Sequence, residues 1–158
     1  MGQLSIWSYP TRVLFGVGAV DETGNEVKRL GASRALIVTD MGVVGAGLVA
    51  PVEQALASAG ISMTLFTGVD PNPVEKNVHE GVTAYREAKA DIIVAVGGGS
   101  PLDVGKIIRL KARPEVDSQN VTEPERGILL HYPPDAAFLV VCNVLGLWCV
   151  LRLADSRE

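Results

Sequence analysis

The chain has 158 residues, of which 47% are hydrophobic and 20% are charged, and its formal net charge is -4. This length and composition suit one well-buried globular α/β domain and exclude a disordered chain. The negative charge provides no field that would gather phosphate backbones, so nucleic acid is not an expected partner.

Short β-branched runs alternate with segments of helical periodicity over the first two-thirds of the chain. Strands are predicted near 12–15, 35–39, 61–66 and 92–96, and helices over 20–30, 48–59, 74–88 and 101–111. The alternation predicts an α/β fold with a doubly wound, mostly parallel Rossmann-like sheet and helices on both faces. Ligands bind such sheets beyond the carboxyl ends of the strands, where Asp40, Asn72 and Gly97–Ser100 fall.

The rest of the chain divides into a predicted linker and a tail. Residues 113–135 are polar, contain proline and lack periodicity, so we predict a loop or linker after a dinucleotide-binding domain of residues 1–112. The tail, residues 136–158, contains an apolar run that is short for a membrane-spanning helix of about 20 residues, and we expect no membrane contact. A buried strand near Ala136–Cys142 followed by a buried helix is the preferred interpretation. Exposed, the same run would be an association or aggregation hazard, and the expected partner there is a second copy or a complementing chain.

Targeting and cysteine patterns are uninformative about function. The first residues, MGQLSIWSYP, lack a basic stretch followed by an apolar core, so we expect a cytoplasmic protein without a secretory signal. Cys142 and Cys149 have a spacing that fits neither a redox pair nor a zinc knuckle. Buried packing is the expected role of both cysteines.

The most informative feature is a strand followed by Gly-Gly-Gly-Ser-Pro-Leu-Asp and a predicted helix. Glycines let backbone N–H groups approach an anion, and a helix amino terminus adds unpaired donors, so a pyrophosphate would fit there. A Cβ at Gly98 would intrude on that phosphate or demand an unfavourable backbone angle. The alternative is a tight turn in which Ser100 caps the helix and Asp103 completes a capping box. That alternative leaves three successive glycines unexplained.

Four sequence blocks occur in order: Phe15-Gly16-x-Gly18, LIVTD at 36–40, DPNP at 70–73 and GGGSPLDVGK at 97–106. In this order they resemble the amino-terminal domain of the iron-containing (group III) alcohol dehydrogenases, over roughly Gln3–Ala112. The resemblance implies NAD as cofactor, with the pyrophosphate at Gly98, Gly99 and Ser100, the adenosine ribose at Asp40 and Asn72 beside the adenosine. It also implies that Asp103 contacts the cofactor or caps its helix. The candidate cofactor-binding residues are Asp40, Asn72, Gly97, Gly98, Gly99, Ser100 and Asp103.

Other roles remain open for two of these residues. From the sequence alone, Asp40 is also a candidate helix cap after a strand, and Asn72 is also a candidate turn-forming residue between two prolines. Lys106 is assigned no role.

The chain departs from the family in the features that hold the metal. Members of the family carry a helical domain in which one Asp and three His bind iron or zinc, whereas this sequence has only His79 and His131. Glu75 and His79 have helical spacing, which we interpret as an exposed pair. We therefore expect no helical metal-binding domain, no bound metal and no catalytic residue in this chain.

The resemblance thus predicts the NAD-binding portion of an alcohol dehydrogenase-like oxidoreductase, inactive as this chain alone. A truncated gene, an altered reading frame after about Ala112 or a fragment completed by another chain would each give this pattern. Two further hypotheses stay open: a non-catalytic nucleotide-binding or association module, and a relative of the glycerol dehydrogenase and dehydroquinate synthase branch.

Overall fold

The structure is a computed structural model that describes residues 13–112, 137–144 and 147–153. Its strands are β1 (Val13–Gly16), β2 (Arg34–Val38), β3 (Ser62–Phe66), β4 (Ile92–Val96), β5 (Ala137–Val144) and β6 (Leu147–Leu153). A 3₁₀ turn at Ala19–Glu22 precedes the helices, which are α1 (Thr23–Arg29), α2 (Met41–Gly45), α3 (Ala50–Ser58), α4 (Glu75–Glu87) and α5 (Gly99–Lys111).

The described strands form one sheet in the order β1-β6-β5-β4-β2-β3. The four neighbours β5, β4, β2 and β3 are parallel, whereas β6 is antiparallel to both β5 and β1. It follows that β1 runs in the same direction as β2 to β5. The predicted mostly parallel sheet is therefore confirmed, with β6 as the one reversed strand among those described.

The core has two layers because β2 and β4 are buried on both faces of the sheet. Successive side chains of a strand point to opposite faces, so a continuous apolar run packs into both layers. On one face, Ile37 and Val94 join Val27 of α1 and residues Val52 and Leu56 of α3. On the other face, Leu36, Val38 and Ile93 join apolar side chains of α4 and α5, namely Val78, Val82, Val104 and Ile108.

The direction of winding reverses between β2 and β4. After β2 the chain passes through α3 to β3 on one side, and α3 packs on the first face of the sheet. After β4 the chain enters α5, which packs on the opposite face, and β5 lies on the other side of β4. In doubly wound sheets a ligand crevice lies at such a switch point, beyond the carboxyl ends of the strands.

The strand predictions over the first hundred residues are confirmed, and some helical boundaries change. The helix predicted over 20–30 is divided into the 3₁₀ turn and α1. The helix predicted from residue 48 begins at Ala50, and α2 was not predicted. Val74, the first residue of the third predicted helix, precedes α4 and is 55% exposed.

The tail contains the predicted strand but not the predicted helix. Residues 137–144 form β5, whereas residues 147–153 form β6 instead of the expected buried helix. Periodicity does not separate a short apolar strand from a buried helix. The deciding factor is pairing, since β6 lies between β5 and β1 and bonds to both.

Three further predictions stay predictions. The linker lies outside the described residues, and the domain division stays a prediction. Cys142 and Cys149 face each other in the register of β5 and β6, but their side chains lie outside the described part, so their packing is also untested. Within the described ranges, no helix combines the length and apolar character needed to cross a membrane.

Candidate functional site

Three loops meet at the carboxyl edge of the sheet because β2 lies between β3 and β4 and runs parallel to both. Thr39, fully buried, joins the three strand ends. Its Oγ1 donates to the carbonyl oxygen of Val96 at 2.8 Å, and its N–H donates to the carbonyl oxygen of Phe66 at 3.0 Å. Asp40, the turn after β3 and the glycine loop after β4 are therefore brought to one edge, as the sequence predicts.

Asp40 caps a helix. Its Oδ1 accepts a hydrogen bond from the N–H of Val43 at 2.9 Å and so starts α2, while its backbone stays extended. The capping role left open by the sequence is confirmed. The side chain is half-buried, and its contact with a ribose stays a prediction.

Gly97 is required by the fold. Its φ is 137°, a backbone conformation that residues other than glycine rarely adopt. A Cβ there would lie 3.0 Å from Cγ of Pro101 and 3.1 Å from Cγ2 of Val43. Gly97 thus lets the amino ends of α2 and α5 approach the end of β4.

Gly98 and Gly99 are different, because nothing in the described fold requires glycine at either position. Both are exposed, and a Cβ added to either would meet no atom of the described residues within 4 Å. Gly98 has φ −90° and caps α5 from an extended backbone, so the expectation that a side chain there would force an unfavourable backbone angle is wrong. Open space therefore lies in front of the first turn of α5, whose N–H groups have no partners within the helix.

Ser100 and Asp103 do not form the alternative capping box. α5 begins at Gly99, two residues earlier than that box requires, and no side chain caps it. Ser100 Oγ instead donates to the carbonyl oxygen of Pro71 at 3.0 Å, which connects α5 to the turn after β3. Asp103 is exposed and forms an ion pair with Lys106 at 3.2 Å.

Asn72 is exposed in the turn between β3 and α4. The residue that fixes this turn is Asn77, which the sequence analysis did not identify. Its Nδ2 donates to the carbonyl oxygen of Gly68 at 2.8 Å and to Oδ2 of Asp70 at 3.0 Å. Its Oδ1 accepts from the N–H of Val74 at 2.8 Å. An Asn at the fourth position of a predicted helix, after a proline-rich turn, was the available signal.

The Glu75–His79 pair is an exposed helical pair, as interpreted from its spacing. Oε1 of Glu75 lies 3.2 Å from Nε2 of His79 and 3.4 Å from Nζ of Lys111. Hydrogen bonds from His79 and then Lys111 hold the pKa of Glu75 below its ordinary value. Among residues 13–112, 137–144 and 147–153, no group of three His, Cys, Asp or Glu side chains is placed to hold a metal ion. His131 lies outside these ranges.

Comparison with known proteins gives a consistent family match. The profile described as "Iron-containing alcohol dehydrogenase" matches residues 10–136. A choline dehydrogenase of Bacillus subtilis is 43% identical over 115 residues, which are 73% of this chain and 29% of that relative. The chain therefore spans less than one-third of the length of this curated relative.

Solved structures agree with the sequence match. A crystal structure of 1,3-propanediol oxidoreductase superposes with a TM-score of 0.70 at 38% identity, covering 80% of this chain and 32% of that one. The NADH-dependent butanol dehydrogenase A of Thermotoga maritima gives a TM-score of 0.65 at 32% identity, covering 73% of this chain and 29% of that one.

The different surroundings of Gly97 and Gly98 predict different responses to alanine. Gly97→Ala should lower the free energy of unfolding by about 1–3 kcal/mol, because it combines a disfavoured φ with close contacts. Gly98→Ala should lower it by less than about 1 kcal/mol, because only the N-cap preference for glycine over alanine is lost there. Urea unfolding of both variants measures this difference. Equal losses of stability would contradict the assignment of Gly97 alone to the fold.

Proposed function

This chain belongs to the iron-containing alcohol dehydrogenase family, and we propose that it is the NAD-binding portion of such an oxidoreductase. The observation that carries the proposal is the open space in front of Gly98 and Gly99, at the start of α5 and beside the switch point of the sheet. A glycine that the fold does not need is explained by a ligand that must approach the backbone closely.

The proposed pyrophosphate site uses the backbone N–H groups of Gly98, Gly99 and Ser100. These groups stand at the amino end of α5, where unpaired donors and the helix dipole favour an anion. The hydroxyl proton of Ser100 is engaged with Pro71, so this residue contributes its N–H group. Gly97 shapes the loop, and its own contact with the cofactor stays a proposal.

The remaining contacts of the proposed site are on the adenosine side. Oδ1 of Asp40 is engaged by Val43, and we assign the other carboxylate oxygen to the adenosine ribose. Asn72 is exposed in the turn that Ser100 contacts, which supports a position beside the adenosine. Asp103 is the fifth residue of α5, is exposed and forms an ion pair with Lys106, and its contact with the cofactor stays a proposal.

NAD is the proposed nucleotide for two reasons. The carboxylate of Asp40 lies at the carboxyl end of β2, where a negative charge disfavours an additional phosphate on the ribose. The butanol dehydrogenase A that resembles this chain is named as NADH-dependent, which supports the same cofactor type.

The metal chemistry of the family is not assigned to this chain. The described residues contain no group of three potential ligands, so they do not fit an iron or zinc site, and no step is derived through a metal. We propose that the 158-residue chain binds NAD but does not oxidise alcohols by itself. We further propose a cytoplasmic location and association with a second copy or a complementing chain through residues 136–158.

Gly98→Val tests whether the glycine loop holds the nucleotide. The valine side chain would occupy the space assigned to the pyrophosphate, so NAD affinity should fall at least about tenfold. Calorimetric titration measures the affinity, and Ala57→Val, at an exposed position of α3, is the control for an added valine. Unchanged NAD affinity in Gly98→Val would mean that the loop is only a turn.

Asp40 should set the preference for NAD over NADP. A unit-charge pair about 4 Å apart near a surface contributes roughly 1–4 kcal/mol, which is enough to disfavour the additional phosphate. Asp40→Asn removes the charge and keeps a good helix cap, so the ratio of NADP to NAD dissociation constants should approach one. Asp40→Gly should also reduce the difference in affinity between NAD and NADP. Equal affinities for the two nucleotides in the unmutated chain would refute this placement of Asp40.

The purified chain should neither retain a stoichiometric metal nor oxidise alcohols. A catalytic metal site supplies three or more protein ligands, and no such group occurs among the described residues. Metal analysis after dialysis, and NADH formation from short primary alcohols and diols with added iron or zinc, measure both properties. Robust turnover by the homogeneous 158-residue chain would contradict the proposal.

A further inference from the structure

Asn77 is a buried polar residue in the first turn of α4, and its side chain forms hydrogen bonds with the preceding turn. It is 3% exposed. Its amide makes three hydrogen bonds, to the N–H of Val74, the carbonyl oxygen of Gly68 and Oδ2 of Asp70, all between 2.8 and 3.0 Å. Because a buried amide loses stability when its partners move away, these bonds hold the turn in one arrangement.

The same turn has two other attachments. Val69 is buried in the core layer formed with α4 and α5, which anchors the inner side of the turn. On the outer side, the carbonyl oxygen of Pro71 accepts the hydrogen bond from Ser100 in the first turn of α5. The turn therefore connects Asn77 on one helix with the glycine loop on the other.

We infer that Asn77 is a positioning residue for the nucleotide site. By fixing the turn Gly68–Val74 it places the Pro71 carbonyl that receives Ser100, and Ser100 in turn fixes the start of α5 behind Gly98 and Gly99. Asn77 lies behind the turn and is assigned no contact with the nucleotide. The inference rests on the proposed function, since it concerns the same crevice.

A purely structural role for Asn77 makes a different prediction. Val74, the N-cap residue of α4, makes no side-chain capping bond, so Asn77 also helps to start the helix. Val74→Ser would supply a hydroxyl that caps the helix directly. The double variant Val74→Ser/Asn77→Ala therefore restores the helix start but leaves Gly68 and Asp70 without the amide. This variant separates the effect of Asn77 on the start of α4 from its effect on the position of the turn.

The experiment is calorimetric titration of NAD into the intact chain and its variants, with urea unfolding of each. Asn77→Ala should raise the NAD dissociation constant roughly three- to tenfold, the effect expected for losing hydrogen bonds that hold a site. Val74→Ser/Asn77→Ala should regain stability and keep the raised constant. If Asn77→Ala does not fold, Asp70→Ala removes one bond at an exposed residue and should raise the constant in the same direction.

A double-mutant cycle tests the connection through Ser100. Because Asn77 and Ser100 act through one turn, Asn77→Ala/Ser100→Ala should raise the dissociation constant no further than the larger single effect. Additive effects of Asn77→Ala and Ser100→Ala on the dissociation constant would overturn the inference. An NAD dissociation constant that Val74→Ser returns to the unmutated value in the double variant Val74→Ser/Asn77→Ala would also overturn it. So would an unchanged constant in a folded Asn77→Ala chain when the unmutated chain binds NAD, and the proposed function would then survive. An unmutated chain that binds no NAD overturns the proposed function, and the inference with it.

Discussion

The buried hydrogen bond from Thr39 to the carbonyl oxygen of Val96 joins the ends of β2 and β4 at the point where the winding of the sheet reverses. The N–H of Thr39 makes a second bond to the end of β3, so one residue holds three parallel strands in register. The positions of the three loops at the site depend on these two hydrogen bonds, because each loop begins within one or two residues of a strand end. The fold thus supplies the crevice before any ligand is considered.

Within this frame the three glycines have separate roles. Gly97 is needed by the backbone, where a positive φ and close contacts with Pro101 and Val43 leave no room for a side chain. Gly98 and Gly99 face open space and have no such requirement. A single glycine would satisfy the turn, and we propose that the other two let a phosphate contact the backbone. The proposed nucleotide site therefore extends outward from a position that the fold already restricts to glycine.

Much of the fold could be predicted from the sequence because buried parallel strands are continuous apolar runs, and β2 and β4 have this form. The less buried β3 could be predicted because clear turn residues follow it. The grouping of Asp40, Asn72 and the glycine loop also follows, because parallel strands end at the same edge. The helix expected in the tail was wrong because β6 is defined by pairing with its neighbour β5 and with β1, which is distant in sequence, and local periodicity does not report such pairing. Asn77 was missed for a related reason. Its role consists of bonds to a turn whose path is known only in three dimensions.

The central claim is that NAD lies over the glycine loop at the carboxyl edge of the sheet, and amide hydrogen exchange with and without NAD tests it most directly. The account predicts slower exchange with NAD at Gly98–Ser100 and at residues 40–43. Exchange should stay unchanged at the opposite edge, where Asp91 binds the N–H groups of Ser33 and Arg34. Protection confined to that opposite edge, or NAD binding with no change at the glycine loop, would contradict the account.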